Sequence, residues 1–183
     1  DMRDYVSDML NAEGKAQEMS ELANKDALTG IRNKNAYDKE VQRLEWEMES
    51  GDAHFGVAMV DLNFLKRIND TFGHDKGNIA IKKLCSIICK IFSHSPVFRI
   101  GGDEFVVVLK GSDYENIETL VAKFYKELDR MEADPMLEYG EKISAALGYA
   151  LLDYETDNCY NVLFKRADEA MYQKKREMKA CRE

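Results

Sequence analysis

Val97-Phe98-Arg99-Ile100-Gly101-Gly102-Asp103-Glu104-Phe105-Val106-Val107-Val108-Leu109 decides the fold class of this chain. Two apolar runs, 97–100 and 105–109, flank two glycines and two acids. Glycine permits a tight turn, so the stretch reads as a β-hairpin with Asp103 and Glu104 at its tip. Working outward, residues 55–60 form a short apolar run that fits a buried strand ending in Asp61, and a further strand is expected over 142–150. Asn33 caps a helix running to about residue 50, where Gly51 ends it. Further helices are expected over 62–72 and 76–93, separated by Gly73, and over 113–131 and 159–180. Helices and strands interleave, but the hairpin imposes antiparallel pairing, so the class is an α+β sandwich.

Composition narrows the function. The chain has 183 residues, with 26 Lys and Arg against 34 Asp and Glu, a net charge of −8. An acidic surface argues against a nucleic-acid backbone binder. Hydrophobic residues at 45% suffice for a core. No apolar run approaches the ~18–20 residues of a membrane span, and no signal-peptide pattern opens the chain, so no membrane contact is expected of this segment. It begins with Asp1, which fits a piece of something longer, a membrane-anchored parent included. His54, His74 and His94 are scattered, and Cys85, Cys89, Cys159 and Cys181 lack metal-site spacing. Cys85 and Cys89, four apart in an apolar stretch, read as a buried helix face. Trp46 and the methionine-rich helices read as core or dimer packing.

Residues 1–25 stand apart. Met2, Tyr5, Met9, Ala12, Ala16, Met19 and Ala23 are spaced alternately by three and four, a heptad seam. The small seam residues and Gly14 make it weak alone. Either the helix packs on its own domain or, the preferred reading, it is a parallel dimer helix that carries a signal from upstream. The expected division is therefore 1–25 as dimer helix and 26–183 as catalytic domain.

The acids carry the chemistry. A solvated turn is the plain reading of the tip, but Asp61 also ends an apolar strand, with Asn63 and Lys66 just beyond. If the strands are neighbours, Asp61, Asp103 and Glu104 converge at one sheet end and repel one another without a cation. Mg²⁺ carried with a polyphosphate is the usual solution. Amides at the helix start after Asp61, with Lys66, suit phosphate oxygens.

These residues resemble one family over about 26–180. Gly101-Gly102-Asp103-Glu104-Phe105 is similar to the signature of the GGDEF family, the diguanylate cyclases, with Arg99 at the family's preceding arginine. Asp26-Ala27-Leu28-Thr29-Gly30 with Arg32-Asn33 resembles the family's opening block. Asp61-Leu62-Asn63-Phe64-Leu65-Lys66-Arg67-Ile68-Asn69-Asp70, with Phe72-Gly73-His74 and Gly77, resembles its second. Ala167-Asp168-Glu169-Ala170-Met171-Tyr172 with Lys175 resembles its last.

The resemblance implies a five-stranded sheet flanked by helices, related to the polymerase palm and class III nucleotide cyclases. It implies an enzyme that condenses two GTP into cyclic di-GMP and two pyrophosphates, as an antiparallel homodimer with one GTP per subunit. Two Mg²⁺ per site are implied, with Mn²⁺ as an alternative. Asp61, Glu104 and the Leu62 carbonyl correspond to metal ligands, and Asp103 to the acid nearest the metals and the attacking 3′-OH. The amides of Phe64 and Leu65, Lys66 and Lys175 correspond to phosphate contacts. Lys179 stands where an arginine is usual, and lacks its fork. An upstream sensor and a cytoplasmic location, as the output part of an anchored sensor, are also implied.

Two departures bear on function. Asn69 matches a guanine reader, but its usual acidic partner is replaced by Asn78, which weakens guanine selection by about 1–2 kcal/mol if the contact is direct. Phe92-Ser93-His94-Ser95 fills the slot of the RxxD inhibitory motif, so product inhibition there is expected to be lost; His94 reads as a solvated helix-end residue. Two rivals remain beside the cyclase: a nucleotide-binding GGDEF module without catalysis, and a cyclase of relaxed purine choice.

Overall fold

The computed structural model describes residues 2–180. Strand β1 (Gly56–Leu62) is buried at every position and forms the middle of the sheet. It pairs antiparallel with β3 (Glu104–Leu109) on one side and with β4 (Ala145–Leu151) on the other. β2 (Val97–Arg99) pairs antiparallel with β3, giving the order β2-β3-β1-β4. Alternation sends Ala58, Val60, Phe105 and Val107 to one face, and Val57, Met59, Val106 and Val108 to the other. Helices α4 (His74–Ile91) and α6 (Ile117–Ala133) cover the first face through Leu84, Ile88 and Phe124. Helices α2 (Lys34–Ser50) and α7 (Tyr160–Ala180) cover the second through Leu44, Leu163 and Met171. Each such side chain contributes about 1.5–3 kcal/mol by burial.

The α+β class and the hairpin hold, but the sheet has four strands rather than five. Beyond β2 the edge carries single-residue bridges instead of a strand: Lys25 pairs with Arg32, and Arg32 with Phe98. The opening turn there folds back on itself, with Gly30 N donating to the Asp26 carbonyl, and cannot extend. β4 starts at Ala145 rather than near 142, because a single 3₁₀ turn (Tyr139–Glu141) precedes it.

Two helices differ from expectation. Helix α3 (Leu65–Phe72) starts three residues later than expected. Asn63 N donates to the Ser144 carbonyl, and Phe64 takes a left-handed conformation at φ 63°, so neither can open a helix. The helix expected over 113–131 is two, a short α5 (Gly111–Glu115) and α6, parted at Asn116. Buried Asp113 turns inward to accept from His94 N and Ser95 Oγ, which ties the start of that segment to the loop after α4.

Asn33 caps α2 by accepting from Ala36 N, and Gly51 ends it at φ 80°. Trp46, on α2, is 71% exposed and takes no part in the core, whereas Met48, Met59 and Met171 are buried. Helix α1 (Met2–Ala23) leaves every residue exposed, its heptad seam included. Cys181 lies outside the described residues. No helix among those described is long and apolar enough to cross a membrane.

Candidate active site at the end of the central strands

The sheet brings two of the expected acids face to face. Asp61, the penultimate residue of β1, is paired in register with Glu104, the first of β3. Both lie on the α7 side of the sheet, in the alternation that places Met59 and Val106 there. The backbone holds the tip alongside, since Leu62 N donates to the Asp103 carbonyl at 2.9 Å. Asp61 is only 7% exposed.

One cation answers them. Lys175 Nζ donates to Asp61 Oδ1 at 2.7 Å. Glycine makes this reach possible: a Cβ at Gly148 would lie 1.9 Å from Met171 N, so only glycine lets α7 seat directly on β4. Lys175 follows Met171 by one turn and so arrives over the end of β1. Burial raises the Asp61 carboxyl above its ordinary range; Lys175 pulls against that, and the charges of Asp103 and Asp168 add to it. Glu104 is likewise raised, first by burial and then by Asp61, Asp103 and Asp168. No donor among the described residues meets the Glu104 carboxylate. A Cβ at Gly101 would lie 2.6 Å from Glu104 Oε2, so the glycine keeps room for that side chain.

The tip itself is clamped from outside. Arg99 Nη1 donates to both Asp26 carboxylate oxygens at 3.0 Å, while its Nη2 donates to the Gly102 carbonyl at 2.9 Å. Asp26 also accepts from Thr29 N and Thr29 Oγ1. Burial raises the Asp26 carboxyl, and the bonds from Thr29 and Arg99 outweigh it, leaving the group below its ordinary range. Ile100 N donates to the Glu104 carbonyl and closes the turn.

Helix α3 starts beside the acids, with Leu65 half-buried and Lys66 exposed. Its first intrahelical bond is from Ile68 N to the Phe64 carbonyl, so the opening amides precede the ladder. Where α3 turns into α4 at Gly73, Asn69 Oδ1 packs on Gly77, where a Cβ would sit 1.8 Å away, and Asn78 is the exposed residue after that glycine. Lys179 is exposed one turn beyond Lys175. The structure therefore gathers Asp61, Glu104 and Lys175, with Asp103 and α3 adjoining. Among the described residues no group of three acidic, histidine or cysteine side chains closes tightly enough to cage a metal ion unaided.

A family model described as the diguanylate cyclase GGDEF domain matches residues 23–181. This chain belongs to the GGDEF family. Among curated GGDEF relatives, it is 30% identical over 159 residues to a probable diguanylate cyclase, DgcT of Escherichia coli, covering 84% of this chain and 34% of that protein. It is also 30% identical over 166 residues to the diguanylate cyclase DgcS of Shewanella oneidensis, covering 90% of this chain and 54% of that one. The chain thus spans between a third and about half of these relatives. The crystal structure of the GGDEF domain of DgcB from Caulobacter crescentus, in complex with c-di-GMP, matches with a TM-score of 0.71 and 28% identity over 85% of this chain and 91% of that one. The form of DgcB that includes its coiled coil matches with a TM-score of 0.81 and 24% identity, over 96% of this chain and 93% of that one, a likeness of fold.

Two contributors to the GGDEF site escaped the sequence reading. Asp168 faces the acids from α7, and its spacing of seven from Lys175 puts both on one helix face, a signal available in the sequence. The Asp26 to Arg99 clamp joins residues 73 apart, which no local pattern reveals. Asn63 has a buried Oδ1 without a hydrogen-bond partner, while its Nδ2 donates to Ser144 Oγ.

Proposed function

We propose that this domain condenses two GTP into cyclic di-GMP and two pyrophosphates, working as an antiparallel pair with one GTP in each subunit. The observation that carries this reading is the Asp61 and Glu104 pair, two acids in register on neighbouring strands, half-neutralised by one lysine. Such a donor set fits Mg²⁺ better than a softer metal, and Mn²⁺ next. Mg²⁺ takes one or two carboxylates and completes its shell with water and substrate phosphates, which agrees with an acid set that is no complete cage. Asp61, Glu104, Asp103 and the Leu62 carbonyl would hold it. When bound, two such ions supply charge neutralisation at the phosphates and a more acidic 3′-OH.

The chain's own groups do the positioning. The amides of Phe64 and Leu65, at the positive end of the α3 dipole, receive β- and γ-phosphate oxygens, with Lys66 beside them. Lys175, paired with Asp61 at 2.7 Å, would supply charge to a phosphate from α7, and Lys179 would add charge one turn on. Asp103, at the tip held by Arg99, lies nearest the attacking 3′-OH. Asn69 and Asn78 present amides to the guanine edge.

Exchange of the usual acid for Asn78 supports a second reading, in which adenine is tolerated as well. In the slot of the inhibitory motif Phe92 is buried, and His94 and Ser95 are tied to Asp113. Neither arginine nor aspartate is offered to product there, which supports the loss of product inhibition at that slot. The bare seam of α1 supports a paired helix leading from an upstream sensor, and residues 26–183 as the catalytic unit.

The test is product analysis. The chain, alone and fused to a leucine zipper, is incubated with Mg²⁺ and GTP, ATP or both, and products are resolved by mass. Cyclic di-GMP from GTP is the expected product. A mixed dinucleotide assigns purine tolerance to Asn78. GTP binding without product from either form overturns the enzyme reading in favour of a binding module.

A further inference from the structure

Asn63 sits where β1, α3, β4 and α7 converge, between the acid at the end of β1 and the start of α3. It is 5% exposed. Its backbone N–H donates to the Ser144 carbonyl at 2.7 Å, and its side-chain Nδ2 donates to the Ser144 hydroxyl at 3.0 Å. The same Nδ2 lies 3.8 Å from Met178 Sδ on α7. Met178 falls between Lys175 and Lys179, so the amide meets the turn of α7 that carries both lysines. Directly after Asn63 the chain enters the left-handed Phe64 and the opening of α3.

An asparagine costs stability in this place. Its Oδ1 is buried and has no hydrogen-bond partner among the described residues. An unmet buried acceptor is destabilising, and an apolar side chain of the same shape would not carry that cost. Native proteins keep such groups where function needs them. What the amide supplies is direction: two hydrogen bonds to Ser144 fix both the place and the angle of the turn, whereas apolar contact is non-directional.

We propose that Asn63 is a positioning residue for the triphosphate, its amide holding the start of α3 and the Lys175 to Lys179 turn of α7 in one relation through Ser144 and Met178. The inference rests on the reading of α3 and α7 as the phosphate-binding elements. Phosphate oxygens shared between amides of one helix and ammonium groups of another are held only at hydrogen-bond length, so a shift of about 1 Å between the two elements breaks the set. The guanine edge is read within α3 and α4, at Asn69 and Asn78, and does not need that relation.

The test separates positioning from folding. In the full chain, Asn63→Leu combined with Ser144→Ala removes both hydrogen-bonding partners and the unmet oxygen together. This double variant should melt within about 2 °C of wild type or above it. Equilibrium binding with Mg²⁺ then compares GMP with a GTP analogue whose α- and β-phosphates are joined by a methylene, which cannot release pyrophosphate. The double variant should lose about tenfold in affinity for the triphosphate and less than about twofold for GMP. Ser144→Ala alone removes a single hydroxyl and should move the same ratio by about threefold, and it carries the comparison if the double variant melts early. A ratio of the two affinities that stays at the wild-type value in folded variants, or an equal loss for both ligands, overturns the proposal. Wild type that binds GMP as tightly as the triphosphate overturns the phosphate reading of α3 and α7 itself, and the inference falls with it.

Discussion

Glu104→Gln should stabilise the metal-free protein while abolishing its activity. Glu104 faces Asp61 directly across β1 and β3, and no hydrogen-bond donor among the described residues meets it, although the charge of Lys175 partly offsets it. Cβ atoms of such a pair lie about 5.5 Å apart, and two charges at that separation repel by about 0.8 kcal/mol at the dielectric of water and about 3 kcal/mol at an effective value of 20. Lys175, 2.7 Å from Asp61, offsets part of this. A net gain of about 1 kcal/mol follows for the neutral isostere, or about 2–4 °C in Tm for a domain of this size. Both carboxyls are raised above their ordinary range, so the native state binds more protons than the unfolded chain between the two values. Stability from this pair therefore rises as pH falls through that window, and the full penalty is present above it. Thermal unfolding by circular dichroism at pH 7 and about one to two units lower reads both effects. Wild type should gain from acid and from Mg²⁺, and Glu104→Gln should gain less from each. A variant that melts below wild type, with an undiminished Mg²⁺ shift, would refute the reasoning.

Lys175→Met should cost about 2 kcal/mol in urea unfolding at pH 7, by leaving Asp61 unpaired, and less in acid, where Asp61 takes up a proton. Asp26→Asn removes a carboxyl held below its ordinary range, a source of stability present above the unfolded value and lost as pH falls through the folded one. It should flatten the acid limb of the stability profile and cost about 1.5–3 kcal/mol at neutral pH. Gly148→Ala should destabilise by at least about 1–3 kcal/mol, because the new methyl meets helix backbone at Met171 and not a movable side chain. Asn78→Asp should raise the preference for GTP over ATP about tenfold in competition, the equivalent of about 1–2 kcal/mol.

The hairpin and the two interior strands were legible because Val106, Val107 and Val108 beside paired glycines admit few alternatives. The class followed from them. The fifth strand did not, because it came from resemblance alone while the residues themselves showed only four strand-like runs. The start of α3 was misread because Asn63 and Phe64 look permissive in sequence, whereas the Ser144 carbonyl and a left-handed φ fix them outside the helix. Asp61, Glu104 and Lys175 could be singled out by type and motif, but the ion pair between Asp61 and Lys175 depends on α7 reaching the sheet at Gly148. Of the two readings of Trp46, the core is excluded by its exposure on α2, because an aromatic on an amphipathic helix says little about which face it occupies.

The most direct test of the central reading is the product formed by wild type and Glu104→Gln from GTP and Mg²⁺, with dinucleotide and pyrophosphate counted in the same reaction. Wild type should release two pyrophosphates for each cyclic di-GMP, and Glu104→Gln, still folded, should release neither. Equal turnover by the two proteins would contradict the assignment of the acidic pair as the catalytic centre.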